Sequence, residues 1–297
     1  NEINSNTKLS SSRIETNEYI LEADEINYNE SKMIYEASNN IKLKIKDSDY
    51  YIFGNSGIYD SNKKITKIYD EPLLKKHVEK DTFYLTSDTI LAYGDENSIS
   101  VLRAFHNVKF YRDEFTGKSD SMKFDLEDST ITMFNDPVVW SGKNQITSDT
   151  ISFILSDNNI EEMNLVKNSF IISEDTLKNF NQIKGRQMKA LFDEKNNIQS
   201  ISVNGNGETI YYALDESSEN MIGLNYIICS DLILNFKENE ISNIIFYKEP
   251  QAKLIPPHEI SEDDKFIESF SWREDEKPRL EDVVFYLRKK IYLRNEK

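Results

Sequence analysis

A short pattern that recurs along the chain constrains its fold more than any other feature. A small residue and an aspartate precede alternating apolar positions that end on an aromatic residue, as in SDTILAY from residue 87 and SDTISF from residue 148. Further copies are ADEINY from 23, SDSMKF from 119 and SDLILNF from 230, with weaker ones at GNSGIY from 54 and GRQMKALF from 185. They recur roughly every 30 to 45 residues, which indicates a repeat architecture.

Each copy is the first half of a predicted hairpin. A short polar linker follows the aromatic residue, and a second apolar or β-branched run follows the linker, as in GDEN from 94 and ISVLRAF from 99. Turn-forming residues between two such runs are typical of a β-hairpin. Seven units of this kind account for most of residues 20 to 250.

The strands have one apolar and one polar face. Ile41, Leu43 and Ile45 alternate with three lysines, and residues 122–124 and 151–153 repeat the alternation. Because successive side chains of a strand point to opposite sides, this pattern predicts a sheet with one dry face and one wet face.

Composition limits the partners and the chemistry. The formal net charge of −16 would repel a phosphate backbone, which argues against nucleic acid as a partner. The single cysteine, Cys229, excludes an internal disulfide, and the three histidines are too scattered in sequence for a zinc site. No apolar run approaches the ~18 residues of a membrane-spanning helix. We expect a soluble chain that needs no metal and no cofactor.

The two ends of the chain differ from the repeats. Residues 1–19 are polar and are predicted to be flexible, as in a mature chain after signal removal or in a trimmed chain. Residues 20–255 would form the β-domain, and residues 256–297 a loop followed by an amphipathic helix. The helix begins near Pro278, and its apolar positions are Leu280, Val283, Val284, Leu287 and Ile291. It would either cap the sheet or bind a partner.

The repeated aspartates invite a catalytic interpretation. Asp24, Asp88, Asp120, Asp149 and Asp231 occupy equivalent positions, so a catalytic role would require five equivalent sites. A role in turns or at strand edges is the better explanation. The NGNG at residue 204 lacks the Lys-Ser/Thr pair of a phosphate loop and reads as a tight turn.

Stacked hairpins can bury their dry faces only against one another. The product is a trough, a jelly roll or a solenoid with a continuous apolar interior. Alternation alone leaves two outcomes open, because the apolar faces could enclose a ligand or close on each other as an ordinary core. The terminal strands would expose unpaired edges, which are candidate docking sites for another strand.

The succession of small-Asp strands, acidic turns and return strands over residues 20 to 250 resembles the OstA-like family, which includes LptA and the N-terminal domain of LptD. Residues 204–283, from NGNGETIYYALDE to KPRLEDV, are similar to the long OstA-like proteins of Bacteroidetes. The resemblance implies an all-β fold, an elongated half-open β-jellyroll (β-taco) of stacked antiparallel hairpins with a short C-terminal helix.

The resemblance also implies a function without catalysis. It suggests a protein of the periplasm, or one associated with the outer membrane, that shields the acyl chains of lipopolysaccharide or a related lipid in an apolar groove. Partners would be other jellyroll Lpt-type proteins, or a second copy of the chain, joined edge to edge by β-augmentation. The predicted groove residues are Ile26, Tyr28, Ile90, Met122, Phe124, Ile151, Phe153, Met188, Leu232 and Leu234.

Two other functions are compatible with a β-array. A structural or adhesive β-solenoid at the cell surface would use the array for length, without a lipid. A carbohydrate-active β-helix enzyme would need a pair of acids, and none stands out from the 52 acidic residues. We therefore expect no enzymatic activity.

Overall fold

The structure is a computed structural model that describes residues 6–17, 19–46, 48–78, 81–94, 99–113, 115–156, 159–194, 197–215, 217, 220–237 and 240–284. The chain divides into two compact units, which we call unit 1 (residues 1–131 and 278–297) and unit 2 (residues 132–277).

Both units are built of β-strands. Strands β1 to β10 are Asn6–Glu15, Tyr19–Asn29, Ile34–Ile45, Tyr50–Asp60, Ile65–Tyr69, Leu73–Val78, Asp81–Thr86, Thr89–Gly94, Ile99–Arg112 and Phe115–Asp125. Strands β11 to β20 are Thr130–Phe134, Val138–Ser141, Asn144–Thr147, Thr150–Ser156, Asn159–Glu174, Phe180–Phe192, Ile198–Leu214, Met221–Lys237, Glu240–Tyr247 and Gln251–Ile255.

The predicted hairpins are present. Six of the seven pair as antiparallel neighbours, namely β2 with β3, β4 with β5, β8 with β9, β14 with β15, β16 with β17 and β18 with β19. The strands of the seventh, β10 and β11, lie at the predicted positions. The all-β class of stacked antiparallel hairpins is confirmed.

Long strands contribute to two arms of each unit. In β4, residues 56–60 pair with β5, whereas residues 50–53 pair with β6. The two halves are separated by a bend at the small-Asp position or its equivalent. We call the half-strands that carry the predicted groove residues arm A, and the other half-strands arm B.

The repeated aspartates lie at these bends. Asn107 donates its side-chain N–H to Asp88 at 2.9 Å, and Asn168 donates to Asp149 at 3.0 Å. Both asparagines have positive φ, 54° and 48°, which Asn tolerates better than most residues. At these two positions the aspartate accepts a side-chain hydrogen bond from the facing asparagine, which agrees with a role in turns or at strand edges.

The segment EPLLKKHVEKDTFY from residue 71 contains two strands of its own. It forms the hairpin β6–β7, in which β6 also pairs with β4 and β7 also pairs with β9. Leu74 and Leu85 are buried on it, at 1% and 0% exposure. The alternation of apolar residues makes this segment part of arm B of unit 1.

The segment predicted to be flexible contains strand β1. Residues 6 to 15 pair with β2, with Leu9 opposite Ile26 and Ile14 opposite Leu21. The pairing gives the backbone of β2 partners that it would otherwise lack on that side, which explains why a polar sequence adopts a strand here.

Part of arm B of unit 2 is buried on both faces, so the predicted wet face is absent at those positions. Neighbouring residues along β15 and β17 are both covered, at 7% and 1% exposure for Ile171 and Ile172, and at 5% and 2% for Thr209 and Ile210. A second core forms on one of these faces, where Ile210 and Leu224 pack with Ile267 of the C-terminal segment. We call residues 256–277 the strap.

Two buried glutamines hold the strap on the sheet. Gln182 donates to the carbonyl of Lys265 at 2.7 Å and accepts from the backbone N–H of Ile267 at 2.8 Å. Gln145 makes the same pair of bonds to Ser271 and Arg273, at 2.7 and 2.6 Å. The predicted loop is therefore an ordered layer of unit 2, with short 3-10 turns at Pro257–Glu259, Glu262–Lys265 and Glu274–Glu276.

The C-terminal helix is present in unit 1. Residues 280–284 are helical, and Val283 is buried at 6% exposure. Asp282 accepts from the backbone N–H of Arg279 at 2.8 Å, which satisfies one of the free donors at the helix start. Leu287 and Ile291 lie outside the described residues. No helix in the described part of the chain is long and apolar enough to cross a membrane.

Candidate functional site

In unit 1, the predicted groove residues lie on two neighbouring rows of arm A. The strand register places the residues of each row side by side across the sheet. One row is Ile26, Ala37, Gly57, Ile68, Ile90, Ala104 and Met122. The other row is Tyr28, Tyr35, Tyr59, Thr66, Ala92, Leu102 and Phe124.

Unit 2 has the same arrangement. One row is Ile151, Leu165, Met188, Val203, Leu232 and Phe246. The other row is Phe153, Met163, Ala190, Ile201, Leu234 and Ile244. The sequence pattern therefore brings five predicted residues together in each unit, although they are far apart in the chain.

These side chains are covered by protein. Nine of the ten predicted residues are no more than 3% exposed, and Tyr28 is half-buried. Glycines allow close approach of the chain, since a Cβ at Gly185 would lie 2.2 Å from Val203 of the same interior. Each interior is packed in the structure.

Aromatic contacts join the two arms of unit 1 at the side away from the bend. Tyr19 of arm B meets Tyr59 of arm A at 5.7 Å between ring centroids. Phe124 of arm A meets Tyr50 and Phe83 of arm B at 6.3 and 6.1 Å. All three are edge contacts, an arrangement favoured by the ring quadrupoles. We call this set of rings the aromatic mouth of unit 1.

Charged residues border the aromatic mouth, and sequence reasoning missed them. Lys76 is paired in register with Tyr50 and with Phe83, so it lies in the row of arm B that meets Phe124. Its ammonium lies 4.6 Å from the centroid of the Tyr50 ring. Nearby, Nε of Arg112 donates to Asp81 at 2.9 Å. The alternation of Leu74, Lys76 and Val78 in the sequence was the signal that could have placed this lysine on the inner face.

Burial shapes the electrostatics of the mouth. It lowers the pKa of the Lys76 ammonium, an effect that Asp49 opposes and Arg112 assists. Burial also raises the pKa of the Tyr50 phenol well above its ordinary value. Both shifts have the same physical origin, because charge is disfavoured where water is excluded.

The described residues contain no group of three or more His, Cys, Asp or Glu that could hold a metal ion. Cys229 is buried, and burial raises the pKa of its thiol, which disfavours the reactive thiolate. The rows of predicted groove residues themselves are lined mainly by apolar side chains.

Residues 77–159 match the family described as LptA/(LptD N-terminal domain) LPS transport protein. This part of the chain is LptA/LptD-like. The match confirms the resemblance to the OstA-like family, and the LptA/LptD-like segment contains Ile90, Met122, Phe124, Ile151 and Phe153 of the predicted groove.

Other comparisons are more distant. The solved structures that match include LptH, the LptA homologous periplasmic component of the conserved lipopolysaccharide transport device from Pseudomonas aeruginosa. It is 9% identical, with a TM-score of 0.31, and the match covers 44% of this chain and 83% of the LptH chain. No curated protein matches the chain.

Proposed function

We propose that the protein binds lipopolysaccharide or a related lipid in the periplasm, shields its acyl chains between the two arms, and passes it toward the outer membrane. The observation that carries this proposal is the alignment of all ten predicted groove residues on inward rows, five of them within the LptA/LptD-like segment. The proposed activity is binding, and it assigns no catalytic role to any residue.

Apolar rows suit such a cargo. Each methylene that leaves water contributes about 0.8 kcal/mol, so several acyl chains would be held firmly without a catalytic or metal site. The rows run across several strands of each unit, which matches the extended form of an acyl chain better than a compact pocket would.

Loading requires the arms to separate. In the structure, the rings of the aromatic mouth cover the interior of unit 1, and the predicted contacts Met122 and Phe124 are each 2% exposed. Edge contacts between rings are each worth only about 0.5–1.5 kcal/mol beyond burial. An acyl chain that replaces them with its own apolar contacts would offset the cost of opening.

Sheet edges are proposed as the sites of assembly. Among the described pairings, β1 pairs with β2 alone, and β19 and β20 pair with β18 alone. Ile245, Tyr247 and Leu254 on the second edge are exposed at 41%, 43% and 62%. Another jellyroll Lpt-type protein, or a second copy of this chain, could extend the sheet there by β-augmentation.

One observation favours the second candidate function, a structural or adhesive β-solenoid. The inward side chains are already buried by protein, as they would be in a core that never opens. The two candidates differ in whether the interior exchanges its contacts for those of a lipid.

A photo-crosslinking experiment separates them. A photoreactive residue placed at Phe124 or Phe153 should yield a lipopolysaccharide adduct, whereas the same residue at Lys123, the outward neighbour of Phe124, should not. Native mass spectrometry of the purified protein should show the co-purified lipid. Equal labelling at Phe124 and Lys123, or no adduct at either inward position, would favour the solenoid.

A further inference from the structure

Lys76 is a cation on an apolar row. In arm B of unit 1, Ile52, Leu74 and Leu85 are paired across β4, β6 and β7, and all three are at most 1% exposed. The next residues on the same face lie two positions away along each strand, and they are Tyr50, Lys76 and Phe83, which are again paired with one another. An ammonium thus occupies a position where the pattern calls for an apolar side chain.

The surroundings do not neutralise this cation. Within the described residues, no carboxylate lies at ion-pair distance from Lys76, and its close partner is the Tyr50 ring at 4.6 Å. The neighbouring cation Arg112 is paired with Asp81 at 2.9 Å. Asp49 is exposed and acts on Lys76 only from a longer range.

Stability does not explain the choice of lysine. A half-buried ammonium without a counter-charge costs free energy that an apolar residue of similar size would avoid. A ring face recovers part of this cost, but another lysine obtains the same contact on the outward face, where Lys44 lies 5.7 Å from the Tyr51 ring. The inward position of Lys76 is therefore suited to an anion that arrives from outside the protein.

We propose that Lys76 binds an anionic group, a phosphate or a carboxylate, on the headgroup of the lipid whose apolar part contacts the aromatic mouth. Tyr50 touches both Lys76 and Phe124, so the charged and the apolar ends of one molecule would be held by neighbouring side chains. The inference rests on the proposed function for the apolar part of the ligand. It adds a preference for phosphorylated over neutral lipids.

The preference for phosphorylated lipids would arise from local contact with Lys76 and not from the long-range electrostatic field of the protein. A chain of net charge −16 repels an anionic lipid at long range, so the site must act where water is partly excluded. A charge-assisted bond from an ammonium to a phosphate is strong in that setting. Arg112 adds positive charge beside it once the anion competes with Asp81.

The test compares two lipids on three proteins. Dissociation constants are measured by displacement of a fluorescent fatty acid, with bisphosphorylated lipid A and its dephosphorylated form as competitors. We expect the wild-type protein to bind the phosphorylated lipid about ten- to a hundredfold more tightly, the range for one charge-assisted contact. Lys76→Met should lose this preference, and the outward control Lys44→Met should keep it.

The outcomes distinguish the inference from the proposed function. Binding of both lipids with equal affinity by the wild-type protein, or an unchanged preference in Lys76→Met, would overturn the anion site and leave lipid binding intact. Binding of neither lipid would overturn both. The ratio of the two dissociation constants is measured within each protein, so it does not depend on small changes in stability. Lys76→Arg keeps the positive charge and should therefore keep the preference for the phosphorylated lipid.

A final arm identifies the source of the anion. Inorganic phosphate is added alone at millimolar concentration, and its binding is followed by the quenching of tyrosine fluorescence. Saturable binding that Lys76→Met abolishes would support the site and assign it to free phosphate. Absence of such binding, together with the lipid preference, would support the headgroup.

Discussion

Single residues set the bends that give each unit its two arms. Asn107 combines a positive φ with a side-chain hydrogen bond to Asp88, while the backbone N–H of Asp88 donates to the carbonyl of His106 at 2.9 Å. Asn168 and Asp149 repeat the arrangement, and the N–H of Asp149 donates to Lys167 at 3.1 Å. The recurrence of aspartate in the sequence reflects this shared geometry.

Two substitutions of Asn107 separate the contribution of its backbone conformation to stability from the contribution of its hydrogen bond to Asp88. Asn107→Ala should destabilise the protein by about 1–2 kcal/mol, because alanine in the left-handed region is strained and the bond to Asp88 is lost. Asn107→Gly loses only the bond, so it should fall between alanine and the wild type. Urea unfolding measures the order. A glycine variant as unstable as the alanine variant would show that the strain is not the larger cost.

At the scale of elements, the strap packs on the second face of the sheet in unit 2 and buries part of it. Its carbonyl and N–H groups at Lys265 and Ile267 have Gln182 as their partner, and those at Ser271 and Arg273 have Gln145. Arg273 further donates to Asp136 at 2.8 Å through each of two nitrogens. Gln182 and Gln145, at 0% and 1% exposure, are thus buried because they bind the strap.

Removing one glutamine tests the strap. Gln182→Ala should lower the free energy of unfolding by about 2–4 kcal/mol, because it leaves the N–H of Ile267 and the carbonyl of Lys265 without partners. Hydrogen exchange should accelerate first within residues 256–277. The control is Gln187→Ala, an exposed position on the same strand, which should change stability by less than about 0.5 kcal/mol. Equal effects of the two substitutions would contradict the role of Gln182.

The sequence predicted the strands and hairpins better than the segment that packs over them. Alternation located the hairpins and placed Ile151 and Phe153 on one face, because period two is written into neighbouring residues. The strap could not be predicted in this way, since the bond from Gln145 to Ser271 spans 126 residues. The run Phe170-Ile171-Ile172 was the local sign that both faces are buried there.

The candidate site shows the same division. All ten residues predicted for the groove lie on two aligned rows in each unit, because their spacing along the strands fixed their face, and their role as lipid contacts stays a prediction. Lys76 was missed because its segment lies between two copies of the repeat, and a lysine on the inner face departs from the alternation of apolar residues. Such exceptions are where functional residues are expected.

At the scale of the whole molecule, two electrostatic effects oppose each other. The net charge of −16 disfavours the compact state through repulsion. In the described part of the chain, seven carboxylates have pKa values below their ordinary range because they accept hydrogen bonds from nearby cations, from N–H groups or, for Asp264, first from the Ser261 hydroxyl. They are Glu15, Asp60, Asp125, Glu162, Asp231, Asp264 and Asp282.

The dependence of the melting temperature on pH shows whether charge repulsion or the paired carboxylates have the larger effect on stability. A carboxylate with a lowered folded pKa stabilises the protein above its unfolded pKa, and that contribution is lost as the pH falls through the folded value. At ~0.15 M salt the Debye length is about 8 Å, so distributed repulsion is screened more than these short contacts. The melting temperature should therefore hold from neutral pH down to the ordinary carboxyl values of 3.8 and 4.5 and fall below them. Protonation of the carboxylates below these values leaves the 36 Lys and Arg charges unbalanced, so in low salt, where repulsion is screened less, the fall should be larger. A melting temperature that rises steadily through this range at ~0.15 M salt would show that relief of repulsion outweighs the loss of the paired carboxylates.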